Sequence, residues 1–149
     1  IINISGGGAT GPRVNFSAYA SAKTSLVRFS EIAALELEKD NIRVNCVAPG
    51  MMPTKLLNET ISHLDESKSK EFDSVKKVLT DENFSYSEVI NLILFLTSDV
   101  SKKITGKLIS STWDNWEKWN ENISQINQNN LYTLRRVTAK DKGFDWGDK

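Results

Sequence analysis

Tyr19 and Lys23 lie four residues apart, so on a helix their side chains share one face, one turn from each other. Such a pair is suited to proton transfer. A free tyrosine has a pKa of about 10 and is a poor base at neutral pH. An adjacent ammonium favours the phenolate and brings it toward the useful range, so that a proton can pass to or from a substrate oxygen. Tyrosine and lysine are also ordinary helix-surface residues, so the spacing gains meaning only from its neighbourhood.

The elements that must hold this pair can be read along the chain. Ile1 to Ser5 is a β-branched, apolar run that the glycines at 6, 7, 8 and 11 and Pro12 break into a loop. It reads as a strand already under way, which predicts a chain that starts mid-fold. Residues 16–39 have a helical pattern, with Leu26, Phe29, Ala33 and Leu37 along one face. Val27, Ile32 and Leu35 widen that stripe and predict a helix buried on two faces. Asp40-Asn41 ends it, and 42–48 reads as a strand that stops at Pro49-Gly50. Strand, helix, strand in this order predicts a parallel βαβ unit with a right-handed crossover.

Residues 51–82 are polar and charge-rich, with weak helical tendency from Glu66 to Leu79 and no clear core face, and read as a mobile flap. Ser85 to Glu88 forms a capping box, with Phe84 and Val89 as its hydrophobic staple, ahead of a buried stripe of Val89, Leu92, Ile93 and Leu96. Ile104 to Ser110, interrupted by Gly106, reads as a further strand. A polar extension, 111–149, follows and carries Trp113, Trp116 and Trp119 three apart.

Composition narrows the class. The 149 residues are 39% hydrophobic and 26% charged, which suits one globular domain. Nineteen basic and nineteen acidic residues balance, so no net field draws the chain to phosphate backbones or anionic lipid, and nucleic acid and membrane are not expected partners. One cysteine, Cys46, and one histidine, His63, leave no thiolate or imidazole metal cluster, and the absence of an internal disulfide fits the cytoplasm. No apolar run approaches the roughly 20 residues that span a bilayer.

Taken together, Ile-Asn-Ile-Ser at 2–5, Tyr-Ala-Ser-Ala-Lys at 19–23, Glu36-Leu37, Ile-Arg-Val-Asn at 42–45, Pro49-Gly50 and Thr54 resemble, in order and spacing, the classical short-chain dehydrogenase/reductase family. The resemblance covers about residues 1–110. It implies an α/β fold: the C-terminal half of a Rossmann-like three-layer sandwich around a parallel sheet, with 51–82 as the substrate flap. It implies an enzyme that moves a hydride between the nicotinamide of NAD or NADP and a small carbonyl/alcohol substrate. Tyr19 would be the general acid/base, and Lys23 would tune it and hold the nicotinamide ribose. Pro49, Gly50 and Thr54 would lie against the nicotinamide, with Thr54 bonding its carboxamide.

The family's substrate-binding serine usually lies thirteen residues before the tyrosine, where this chain has Gly6. Ser5, one residue earlier, is the candidate in its place. The alternatives are that the amides of Gly6 to Gly8 polarise the substrate oxygen, and that Ser5 merely closes a strand. The glycine fingerprint and the residue that separates NAD from NADP would both precede Ile1, so the isolated fragment is expected to be inactive. A homodimer or homotetramer built through the 16–39 helix and the helix that would precede Ile1 is implied for the complete protein. The alternative is a non-catalytic, truncated relative that keeps the fold and the oligomer surface.

The remaining candidates have plainer readings. Cys46 sits in an apolar strand and reads as a small core residue. His63 reads as solvent-exposed, and the lysines at 68, 70, 76 and 77 as a solvated face. The tryptophan stripe reads as packing or a subunit contact. Met51 and Met52 open the flap, as gap-fillers or as contacts to substrate or cofactor.

Overall fold

Three short parallel strands, β1 (Ile2–Ile4), β2 (Asn45–Ala48) and β3 (Leu108–Ser110), pair in the order β1-β2-β3 in a computed structural model that describes residues 1–62, 64 and 70–147. Helix α1 (Ser17–Glu36) joins β1 to β2. Between β2 and β3 run α2 (Lys55–Ser62), α3 (Lys70–Leu79) and α4 (Ser87–Thr97), and α5 (Ile123–Gln128) lies in the extension.

Alternation along the strands sorts the helices into layers. Cys46 packs with Val27 of α1, while its neighbour Val47 packs with Leu92 and Leu96 of α4. Successive strand residues point to opposite faces, so α1 and α4 cover opposite faces of the sheet. This is a three-layer α/β/α arrangement around a parallel sheet. The α4 side holds the larger core, in which Val47, Leu92, Ile104 and Ile109 are fully buried. Each such side chain contributes on the order of 1.5–3 kcal/mol. Both crossovers step the sheet in the same direction yet lie on opposite faces. They therefore have opposite hands, and only one follows the right-handed rule.

The Ile-Arg-Val-Asn run has a structural task. Arg43 donates to the Ser98 and Ser101 carbonyls and to Ser101 Oγ, and Asn45 donates to the Ile104 carbonyl and accepts from the Lys107 amide. Two side chains thus pin the loop ahead of β3, and regular strand structure begins at Leu108 rather than at Ile104.

Several expectations are corrected. The buried face of α1 is Val27, Ser30, Glu31, Ala33 and Ala34, while Phe29, Ile32 and Leu35 are 63%, 48% and 75% exposed. The periodicity marked an apolar face but not the one that meets the sheet. In the 51–82 segment α3 falls within the stretch of helical tendency but has a core residue, Val75, that is completely buried, whereas α2 was not expected: Thr54 Oγ1 accepts from the Leu57 amide and caps it. Helix α4 starts at Ser87, inside the Ser85–Glu88 run, and the expected cap does not form, because Ser85 Oγ accepts from the Ser87 amide in a local turn. Lys76 and Lys77 are exposed, whereas His63, Glu66 and Lys68 fall outside the described residues.

The extension belongs to the same core. Trp119 and Ile126 are buried in the α4-side cluster, Trp116 packs against Phe95, and Trp113 is exposed. The chain then rounds β3 to the α1 side, where Leu134 joins Val27 and Cys46. Buried Lys107 donates to the carbonyls of Ile126 and Leu131, and Glu31 accepts from the Leu134 amide at 2.6 Å while pairing with Arg28. The two outward-facing amides of β3, Leu108 and Ser110, bond the Tyr132 carbonyl and Asp114 Oδ2.

Candidate active site

The carboxyl ends of parallel strands carry the loops where open α/β sheets bind ligands. Here those ends are Ser5-Gly6, Pro49-Gly50 and Ser111-Thr112. The amino-terminal turns of α1 rise beside the first of them, so Tyr19 and Lys23 project over the carboxyl end of β1. Lys23 Nζ donates to the Ile4 carbonyl at 2.8 Å and stands 5.8 Å from the centre of the Tyr19 ring. The one-turn spacing does bring the two groups together.

The glycine loop shapes the pocket for the phenol. A Cβ placed on Gly6 would lie 2.2 Å from the Tyr19 hydroxyl oxygen, and one on Gly8 would lie 3.2 Å from two ring carbons. The ring therefore occupies the space that side chains at 6 and 8 would need. Position 6 faces the hydroxyl directly. Ser5 continues the ladder through its amide to the Val47 carbonyl, but its side chain is 3% exposed, and its Oγ has no hydrogen-bond partner. An orphaned buried hydroxyl is uncommon in native proteins.

The second strand end contributes a bare turn. Gly50 has φ +77°, which favours glycine, and an added Cβ would lie 2.7 Å from Thr112 Oγ1. Thr54 Oγ1 accepts from the Leu57 amide as the cap of α2, which leaves its hydroxyl proton free to donate. Met51 and Met52 follow the turn, Met51 exposed and Met52 half-buried.

Beneath the site, Ser30 Oγ receives hydrogen bonds from Asn3 Nδ2 and the Cys46 thiol and donates to the Leu26 carbonyl. Burial pushes the Cys46 thiol up from its ordinary value, with the Ser30 bond opposing. A buried thiol held in its neutral form is no nucleophile, in agreement with its reading as core.

Arg13 was not singled out by the sequence. Its Nε and Nη2 bond the two carboxylate oxygens of Glu71 on α3 at 3.2 and 2.9 Å. Its guanidinium carbon stacks 3.9 Å over the Phe16 ring, which meets the Tyr19 ring edge-on at 6.3 Å. A pair separated by 58 residues leaves no periodic signal.

A sequence profile of the family described as Enoyl-(Acyl carrier protein) reductase matches residues 1–111. The chain is 33% identical over 113 residues to Dehydrogenase/reductase SDR family member 4 of Caenorhabditis elegans, covering 70% of this chain and 43% of that protein. It is similar in structure to a short chain dehydrogenase family protein from Francisella tularensis, with a TM-score of 0.58, 30% identity, and coverage of 74% of this chain and 48% of the other. A short-chain type dehydrogenase/reductase from Mycobacterium ulcerans superposes with a TM-score of 0.55 and 29% identity over 73% of this chain and 38% of its own. In each case the chain spans less than half the length of the protein it matches.

Proposed function

The chain belongs to the short-chain dehydrogenase/reductase family, and from that premise we propose that it forms the catalytic half of an NAD(P)-dependent oxidoreductase acting on a small carbonyl/alcohol substrate. The observation that carries the proposal is the placement of the Tyr19 hydroxyl against Gly6, with Lys23 beside the ring, at the carboxyl end of β1. Tyr19 holds the proton that a substrate oxygen gains or loses. The Lys23 ammonium stands beside the Tyr19 ring and, with two protons beyond the one given to Ile4, can donate to a pair of ribose hydroxyls.

The residues present fit a nicotinamide nucleotide. Gly50 presents backbone without a side chain, Pro49 would offer an apolar contact, and the Thr54 hydroxyl proton would donate to the carboxamide. When bound, that cofactor supplies the hydride acceptor or donor. The Ser5 hydroxyl, buried and unpartnered, would turn toward the substrate oxygen on binding; the amides of Gly6 to Gly8 are the alternative donors. Tyr19→Phe in the complete protein should remove turnover and leave cofactor binding intact. Unchanged turnover would dismiss the assignment.

The second reading, a non-catalytic relative that keeps an association surface, is favoured by the outer face of α1, where Phe29, Ile32 and Leu35 are open to solvent. That face is also the surface we propose for homodimer or homotetramer formation. Phe29→Lys should lower the assembly mass seen by sedimentation, and an unchanged mass would place the contact elsewhere.

A further inference from the structure

Glu71 of α3 is the carboxylate that occupies the Arg13 guanidinium, and it does so with both oxygens, the arrangement in which arginine recognises carboxylates. The pair is half-exposed, with side-chain exposures of 26% and 40%, so a solute can reach it. Partly exposed pairs are screened by solvent and are commonly worth about 0.2–1 kcal/mol, with a bidentate pair such as this one at the upper end. Arg13 also has a contact independent of Glu71, because its guanidinium carbon stands 3.9 Å over the Phe16 ring, and Phe16 packs against the ring of Tyr19. The cation is therefore fixed one aromatic contact away from the proposed acid/base, and its present partner is replaceable.

We propose that Arg13 is the substrate's carboxylate anchor and that Glu71 is a placeholder which the substrate displaces. The favoured substrates are then hydroxy acids and their keto acid counterparts, with the carboxylate several bonds from the reacting carbon so that one end meets Arg13 and the other Tyr19. Glu71 adds selectivity: neutral alcohols gain nothing from Arg13 and leave the ion pair closed, whereas an anion releases α3 from the loop that leads into α1.

The inference rests on the Tyr19 reading only for the position of the reacting carbon, so its test avoids turnover. Binding of 6-hydroxyhexanoate to the complete protein is followed by isothermal titration calorimetry, a readout that survives replacement of Arg13, with 6-hydroxyhexanamide as the neutral comparator. Glu71→Gln removes the competitor and should tighten acid binding about two- to fivefold, which is what 0.2–1 kcal/mol supports at the upper end. Arg13→Gln should abolish the preference for acid over amide. The exchanged pair, Arg13→Glu with Glu71→Arg, keeps the ion pair and controls for misfolding; it should retain the wild-type far-ultraviolet spectrum. Unchanged or weakened acid binding in Glu71→Gln, or equal binding of acid and amide to the wild type, would overturn the proposal while leaving Tyr19 untouched.

Discussion

Gly6→Ala is the most direct probe of the packing around Tyr19. The new methyl would sit 2.2 Å from the hydroxyl oxygen, so the phenol must retreat by on the order of 1 Å to restore van der Waals contact. Overpacking of this kind costs about 1–3 kcal/mol. The smaller entropy of the unfolded alanine chain returns about 0.4–1 kcal/mol, because Gly6 has an extended backbone, φ −176°, that alanine adopts freely. The net loss is up to about 2.6 kcal/mol and centred on about 1.3 kcal/mol, or roughly 3–5 °C in Tm for a chain of this size. Gly7→Ala is the internal control, since nothing lies within 4 Å of its added methyl; its stability should be unchanged or slightly higher. Thermal unfolding of both variants gives the stabilities, and tyrosine-selective NMR shows whether the Tyr19 ring has moved. In the complete protein, a displacement of about 1 Å should lower turnover on the order of 100-fold. Equal Tm values for the two variants, with an unmoved Tyr19 signal, would refute the placement of the phenol.

Further predictions follow from the buried polar groups. Lys107→Met should cost about 2–4 kcal/mol, because two main-chain carbonyls lose a charged donor while relief of ammonium desolvation offsets part of the loss. Urea unfolding read through tryptophan fluorescence checks this, and a shift under 0.5 kcal/mol would contradict the anchoring role. The raised Cys46 thiol contributes stability that is complete below its ordinary value of 9.0 and is lost as pH rises through the folded value. The wild type should therefore lose stability in this alkaline window, less the opposite contribution of Lys107, whose pKa is lowered by burial. Cys46→Ala should remove the thiol part of the slope above pH 9.0; identical slopes would show that the thiol is not held neutral.

What the sequence revealed was local. Tyr19 and Lys23 meet because four residues make one helical turn, and Cys46 is buried because its strand is apolar, so both were legible. The face that α1 buries was not, since Phe29 and Val27 are comparable hydrophobes and only the sheet decides between them. Helix α2 was overlooked because it is only eight residues long, Lys55–Ser62, too short for its apolar positions Leu56, Leu57 and Ile61 to repeat, although Thr54 is an N-cap residue. Arg13 with Glu71, and Lys107 with the carbonyls of the extension, join residues far apart in sequence. Charge in a primary sequence does not announce its partner.

The two margins of the sheet differ in what they permit. Along β3 both outward amides are already bonded within the chain, to Tyr132 and Asp114, whereas no strand pairs with the outer side of β1 among the described residues. Growth of this sheet is therefore directional, as in a zipper with a stop at one end. A further strand can be accepted only beside Ile2–Ile4, the same margin over which Lys23 reaches.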